Sequence, residues 1–371
     1  MTIHKKQIFS PMPEVKKICI VVGARPNFVK VAPLIRAIEN TACADYNLVY
    51  AGREDDPTLE ATLFDDLQMP RPDVYLGVDS TSLNEITSRV MAEFDSLLER
   101  EPADVVIVVD DLASTMAAAI VTKKRGMKLA HLVAGTRSFD MKMPKEVNRL
   151  VIDALSDYLF TAGVKSNSVA TREQAEGSNT YMVGNILMDS LRFNQKRLRK
   201  PSLDIEENQY LVFTLNRKAL LADEAKLVKM LEAIAEAADG LPIIAPLRGK
   251  AYEKVMALTS CRPSLTARLS LLTSLSYLEF GWLTAHARGV ITDSGNVAEE
   301  ATFNGVPCIT LNSYTEHQET VTVGTNVLVG EDPGQLADEV RKMVGGQWKK
   351  HALPERWDGR TAERIVKILV G

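Results

Sequence analysis

Short apolar runs recur along the chain, most ending in a glycine or polar turn and followed by a segment whose apolar residues have helical spacing. Ile18 to Val22 reads ICIVV, and after a glycine turn Val31, Leu34, Ile35 and Ile38 mark one face of a helix. Tyr46 to Tyr50 predicts a second strand. Val105 to Val109, VVIVV, is apolar without alternation, as in a parallel strand covered on both faces. An Ala-rich helix is predicted over Leu112 to Ile120, then strands at Leu129 to Val133, Tyr158 to Thr161 and Thr180 to Val183. A second series begins at Tyr210 to Thr214 and continues at Pro242 to Pro246, Leu269 to Leu272, Gly289 to Thr292, Pro307 to Leu311 and Thr325 to Val329. Strand and helix in alternation imply an α/β chain with two parallel-sheet domains and a ligand cleft at the carboxyl ends of the strands. The expected division is a short extension over 1–17, a first domain over 18–185, a connection over 186–208, a second domain over 209–355 and a closing helix over 356–371.

Composition narrows the class. A chain of 371 residues suits two domains, and 46% hydrophobic with 25% charged residues is ordinary for a soluble globular protein. A net charge of −4 with no long basic tract argues against nucleic-acid binding; the basic cluster around Lys196, Arg197, Arg199 and Lys200 reads as a solvated helix end. Cys19, Cys43, Cys261 and Cys308 lie far apart without metal-site spacing and are expected as reduced core or near-core residues of a cytoplasmic protein. The first residues lack the apolar stretch of a signal peptide, and no run approaches the roughly 20 apolar residues that span a bilayer.

Candidate chemistry gathers where strands hand over to helices. In GARPNFVK, Gly23 permits close backbone approach, Arg25 offers a rigid fork of donors and Lys30 a flexible charge, beside a helix N-terminus that favours anions. In TDSGNVAEE, Ser294 and Gly295 offer donors to a phosphate; Glu299 or Glu300 suits a ribose diol or faces solvent. Arg137 and Arg149 read either as phosphate contacts or as partners of acidic neighbours. Asp110 and Asp111 follow VVIVV; because neighbouring side chains on a strand diverge, only one is expected to face the cleft, as an acid–base group or an N-cap. His131 reads as a ligand or a satisfied core residue, Arg217 and Arg248 as ligand contacts or loop charges, and His317 as the better histidine candidate. No metal cluster and no dinucleotide fingerprint is evident, so neither metal nor cofactor is expected.

Together GARPNFVKVAPLI, VVDDLAST, HLVAGTRS, PKEVNR, TDSGNVAEEATFNGVPCIT and YTEHQETVTVGT resemble the non-hydrolysing UDP-N-acetylglucosamine 2-epimerases. The resemblance implies GT-B architecture, two Rossmann-like domains with a nucleotide sugar between them, in a homodimer. It implies that Arg25, Lys30, Ser294 and Gly295 serve the diphosphate and Glu300 the ribose. Arg217 falls on the first Arg of a His-Arg-Arg segment, Arg248 replaces a histidine near Pro246, and His317 stands where the family has Arg. The family's reaction eliminates UDP across C1 and C2 and adds it back with inverted C2. Asp111 matches the family's Asp, and Glu146 the second Glu of its Pro-Glu-Glu. Val133 stands in place of a Glu, Lys145 of the first Glu in that motif, and Asn216 of a histidine. The GRED stretch from Gly52 to Asp55 replaces the QHRE-type segment of the family's allosteric site.

The expectation is a divergent UDP-sugar enzyme with Asp111, Lys145, Glu146 and Arg137 as catalytic candidates. UDP or a UDP-sugar such as UDP-N-acetylglucosamine would be its ligand. The alternatives are a glycosyltransferase with a sugar acceptor and a nucleotide-sugar binder without turnover.

Overall fold

The computed structural model describes residues 15–42, 44–60, 62–273 and 275–371. Most of the expected N-terminal extension, and Cys43, lie outside the described residues. The first sheet is built from β1 (Lys16–Val22), β2 (Ala44–Tyr50), β3 (Val74–Tyr75), β4 (Val105–Val109), β5 (Lys128–Ala134), β6 (Tyr158–Thr161) and β7 (Asn179–Met182). The second comprises β8 (Leu211–Phe213), β9 (Ile243–Pro246), β10 (Leu269–Leu272), β11 (Gly289–Thr292), β12 (Cys308–Thr310) and β13 (Asn326–Leu328). Their orders are β3-β2-β1-β4-β5-β6-β7 and β10-β9-β8-β11-β12-β13, with parallel pairing throughout.

The period of two along each strand divides the core. Ile18, Ile20, Val22, Ile107 and Val109 enter one apolar cluster; Cys19, Val21, Val106 and Val108 enter another on the opposite face. The second sheet repeats this, with Leu211, Phe213 and Ile291 on one side and Val212, Ile244 and Val290 on the other. Helices cover both faces, which is why these strands read as unbroken apolar runs.

Strand order reverses between β1 and β4 and again between β8 and β11. The loops leaving these four strands diverge there and leave a crevice at each sheet's carboxyl edge. They carry Gly23–Arg25, Asp110–Asp111, Asn216–Arg217 and Asp293–Gly295.

Two helices outside the βα repeats, one between the two sheets in sequence and one after the second, pack on the first sheet. Ile186, Leu187, Met188 and Leu191 of the helix Ile186–Asn194 join the cluster that holds Ile20. Ala362, Ile365, Val366 and Leu369 of the final helix, Thr361–Val370, join it too. Asp189 receives the backbone N–H groups of Thr361 at 3.1 Å and Ala362 at 2.8 Å, capping that helix. The chain thus crosses to the second sheet and returns. Cys19 and Cys308 are buried, their thiols pushed up to about 12 by burial, whereas Cys261 is exposed, contrary to the expected core placement, because it follows the end of a surface helix.

Candidate functional site

The turn after β1 is tight for a reason visible in its neighbours. A side chain at Gly23 would collide with Ser114 Oγ and Leu112. Asn27 Oδ1 accepts from the N–H groups of Gly23 at 2.9 Å and Ala24 at 3.2 Å, so this amide closes the helix start. Its Nδ2 donates to Asp110 Oδ2 at 2.8 Å, and Lys30 Nζ meets Asp110 Oδ1 at 2.6 Å. Burial works against the Lys30 ammonium, but Asp110 and Glu299 outweigh it and raise its pKa. Arg25 donates to Glu60 Oε2 at 3.0 Å, and Arg248, from the turn after β9, reaches Glu60 Oε1 at 2.5 Å. Arg25 Nε is buried without a partner among the described residues.

Facing this loop is the turn after β11. Ser294 N donates to Thr292 Oγ1 at 2.9 Å, and Ser294 Oγ accepts from Val297 N at 3.5 Å, capping the helix Gly295–Asn304. A Cβ on Gly295 would lie 2.6 Å from the His317 ring, so only glycine lets the imidazole lie across the helix start. His317 Nδ1 pairs with Glu299 Oε1 at 2.8 Å, and Asn185 Nδ2 donates to the same oxygen at 2.7 Å. Burial opposes both charges, yet each sustains the other: the pKa of His317 is raised and that of Glu299 lowered. Glu300 differs from its neighbour. Burial, and then the charge of Glu299, push its carboxyl up to about 8 against the pull of Arg25.

At the other end of the cleft, both aspartates after β4 line the pocket, where the sequence reading admitted one. The alternation argument fails because Asp110 is left-handed, with φ +59°, and turns the chain out of its strand register. Its carbonyl oxygen is held by His131 Nε2 at 2.9 Å, while His131 Nδ1 meets Asp153 Oδ1 at 2.5 Å. His131 is therefore a satisfied buried residue. Val133 also lines the cleft and has φ +76° at the register shift between β5 and β6, a strained backbone for a β-branched residue.

Asp111 lies 3.3 Å from Lys145 Nζ and accepts from Arg149 Nε at 2.8 Å. Burial would raise its carboxyl, but these two cations hold it below the usual carboxylate range. Arg149, on the helix Pro144–Leu155, also grips Glu316, on the loop after β12, with two bonds of 2.6 and 2.7 Å, an ion pair between the two domains. Two catalytic candidates, Glu146 and Arg137, are held by partners within the first domain. Glu146 accepts from Ser138 N at 2.8 Å, Ser138 Oγ at 2.9 Å, Phe139 N at 3.0 Å and Arg149 at 3.1 Å, so its carboxylate is held by four donors and turned into the loop. Arg137 touches the cleft, but its guanidinium is committed to Asp153 at 2.7 Å and Glu173 at 3.0 Å. Arg149 is buried among carboxylates and is a tie between domains.

Arg217 donates to Leu311 O at 3.2 Å and Asn312 Oδ1 at 2.9 Å, on the second-sheet side. The side chains of Lys30, His317 and Glu316 meet Val133 and Thr136 along one continuous cleft. Sequence reasoning missed Asn27, Glu60, Asn185, Asp153 and Glu316. Of these, Asn27 carried a local signal, as the third residue of a helix lacking a polar N-cap.

Two parallel-sheet domains with cationic and helix-start donors facing across their switch points define a nucleotide-sugar class of GT-B architecture. A family model described as UDP-N-acetylglucosamine 2-epimerase matches residues 36–370. The chain belongs to that family. It is 31% identical over 365 residues to the UDP-N-acetylglucosamine 2-epimerase of Methanocaldococcus jannaschii, covering 95% of this chain and 98% of that one. It is 31% identical over 332 residues to the UDP-2,3-diacetamido-2,3-dideoxy-D-glucuronate 2-epimerase of Pseudomonas aeruginosa, covering 89% and 92%. The crystal structure of the M. jannaschii UDP-GlcNAc 2-epimerase in complex with UDP-GlcNAc and UDP superposes with a TM-score of 0.84 at 32% identity, covering 95% and 99%.

Proposed function

We propose that the cleft binds UDP and a UDP-sugar and cleaves the C1–O bond to UDP with loss of the C2 proton, with a catalytic set altered from that of the epimerases it resembles. The observation that carries this reading is that Lys30, from the helix after β1, lines one pocket with His317 and with Asn296, in the first turn of the helix that Ser294 caps, while the charge of Arg25 acts on Glu300 of that same helix. In this reading the diphosphate takes Arg25, Ser294 and Gly295, whose donors stabilise the leaving charge. The ribose takes Glu300. The sugar faces Asp111, Lys145 and Val133. Asp111 takes the C2 proton as UDP leaves C1, the exposed Lys145 returns a proton to C2 as UDP adds back, and Asp111, 3.3 Å away, passes its proton to Lys145 to restore both. A carboxylate held below its usual range is a weak base, so turnover is slow relative to a site with an unpaired carboxylate. The protein would work as a cytoplasmic homodimer, the setting its family resemblance implies.

Incubation with UDP-N-acetylglucosamine in deuterated water, followed by proton NMR, tests the reading. Deuterium at C2 or appearance of the manno epimer supports it. UDP release only on addition of a sugar acceptor would replace it with glycosyl transfer. A second reading, binding without turnover, is favoured by the ion pairing of Asp111 and the four donors on Glu146; UDP binding with unchanged UDP-sugar would establish it.

A further inference from the structure

Glu60 reaches across the phosphate end of the cleft. Its two oxygens are divided between Arg25, on the helix after β1, and Arg248, just before the helix after β9. One carboxylate thus spans cations from both domains, at the place where the proposed function puts a diphosphate. Side-chain exposure is 30% for Glu60, 23% for Arg25 and 48% for Arg248, so both pairs are partly hydrated and weakly held. The hold on Arg25 is also incomplete, because its Nε is buried without a partner among the described residues.

We propose that Glu60 is an internal competitor for the diphosphate, holding Arg25 and Arg248 until a nucleoside diphosphate displaces it, and so setting the affinity of the cleft. The inference rests on the UDP-binding reading above. A diphosphate carries more charge than one carboxylate and offers oxygens to several donors of both guanidiniums at once. Glu60, released, returns to solvent at little cost. The contrast with Lys30 is direct: Asp110 holds that ammonium in a largely buried pair, with side-chain exposures of 8% and 17%, and Asp110 is itself fixed by Asn27, so no comparable exchange is built there.

Calorimetric titration of the full chain with UDP, inorganic diphosphate and uridine tests this, comparing wild type, Glu60→Gln and Asp65→Asn. Asp65 is an exposed carboxylate on the neighbouring helix Thr62–Leu67 and controls for net charge. Glu60→Gln should bind UDP and diphosphate ~3- to 10-fold more tightly, the scale of two weak ion pairs, with uridine affinity unchanged. Asp65→Asn should change neither. Equal or weaker UDP binding by Glu60→Gln, while wild type binds, overturns the proposal and leaves the UDP reading standing. So does equal tightening by Asp65→Asn, which would reduce the effect to overall charge. Failure of wild type and Glu60→Gln alike to bind UDP or diphosphate removes the UDP reading and this proposal together. Melting curves of both variants within a degree or two of wild type keep the comparison one of folded proteins.

Discussion

The cation at each end of the cleft is satisfied to a different degree. At the proposed sugar end, Arg149 is buried and bonded to Asp111, Glu146 and Glu316, and Glu146 accepts from four donors. At the proposed phosphate end, Arg25 shares one partly exposed carboxylate with Arg248, leaves Nε unpaired among the described residues, and lies near Glu300, a buried carboxyl with no hydrogen bond among the described residues. A saturated cluster holds domains together, because removing any member leaves a buried charge uncompensated. An under-satisfied cluster has bonding capacity left for a ligand, and its members lose little when they exchange partners. The difference separates what fastens this molecule from what is free to bind.

The largest way to break the comparison is Arg149→Met. It leaves Asp111, Glu146 and Glu316 without their shared cation, and the loss of unfolding free energy should be about 3–5 kcal/mol. Denaturant melts check it; a change below about 1 kcal/mol would mean the cluster is not a fastening.

Next is Glu300→Gln, whose effect depends on pH. The folded carboxyl sits at about 8 against 4.5 for an ordinary glutamate. Below 4.5 both folded and unfolded states are protonated and the group contributes nothing to the pH dependence. As pH rises from 4.5 to about 8 the unfolded state releases its proton and the folded state does not, so wild-type stability falls through this window. The variant lacks that loss. Its stability relative to wild type should therefore grow across the window by an amount on the order of a few kcal/mol, read from urea melts at several pH values. A pH-independent difference would show that Glu300 is not held protonated.

The smallest expected effect sharpens the picture at Val133. Glycine at φ +76° relieves the strain of a β-branched side chain, and Val133→Gly should raise stability by about 1 kcal/mol despite the flexibility it adds to the unfolded chain. Destabilisation would mean that valine packing outweighs the backbone cost.

Much of this was legible along the chain where signals are local. The bounds read for β4, β6, β10 and β11 coincide with the observed strands, because each is a short apolar run closed by polar or glycine residues. The two half-buried residues of β3 carried no such pattern. Within the site, Gly23, Lys30, Ser294 and Gly295 stand out because a strand-to-helix turn constrains them locally. The pairing of Glu146 with Arg149 was also open to reading, since residues three apart on a helix are neighbours. Asp110 was misjudged because strand alternation was extended one residue past the point where the backbone turns left-handed. Glu60 and Glu316 had no local signal at all: each acquires its role from an arginine on the other domain, 188 and 167 residues away in sequence.

The most direct test of the contrast between the two ends is UDP titration of Arg25→Gln and Lys145→Gln beside wild type. The account predicts that Arg25→Gln weakens UDP binding by about 10- to 100-fold, the scale of charge-assisted hydrogen bonds, while Lys145→Gln, at the sugar end, leaves it within about twofold. Equal losses in the two variants, or undiminished binding by Arg25→Gln, would contradict it.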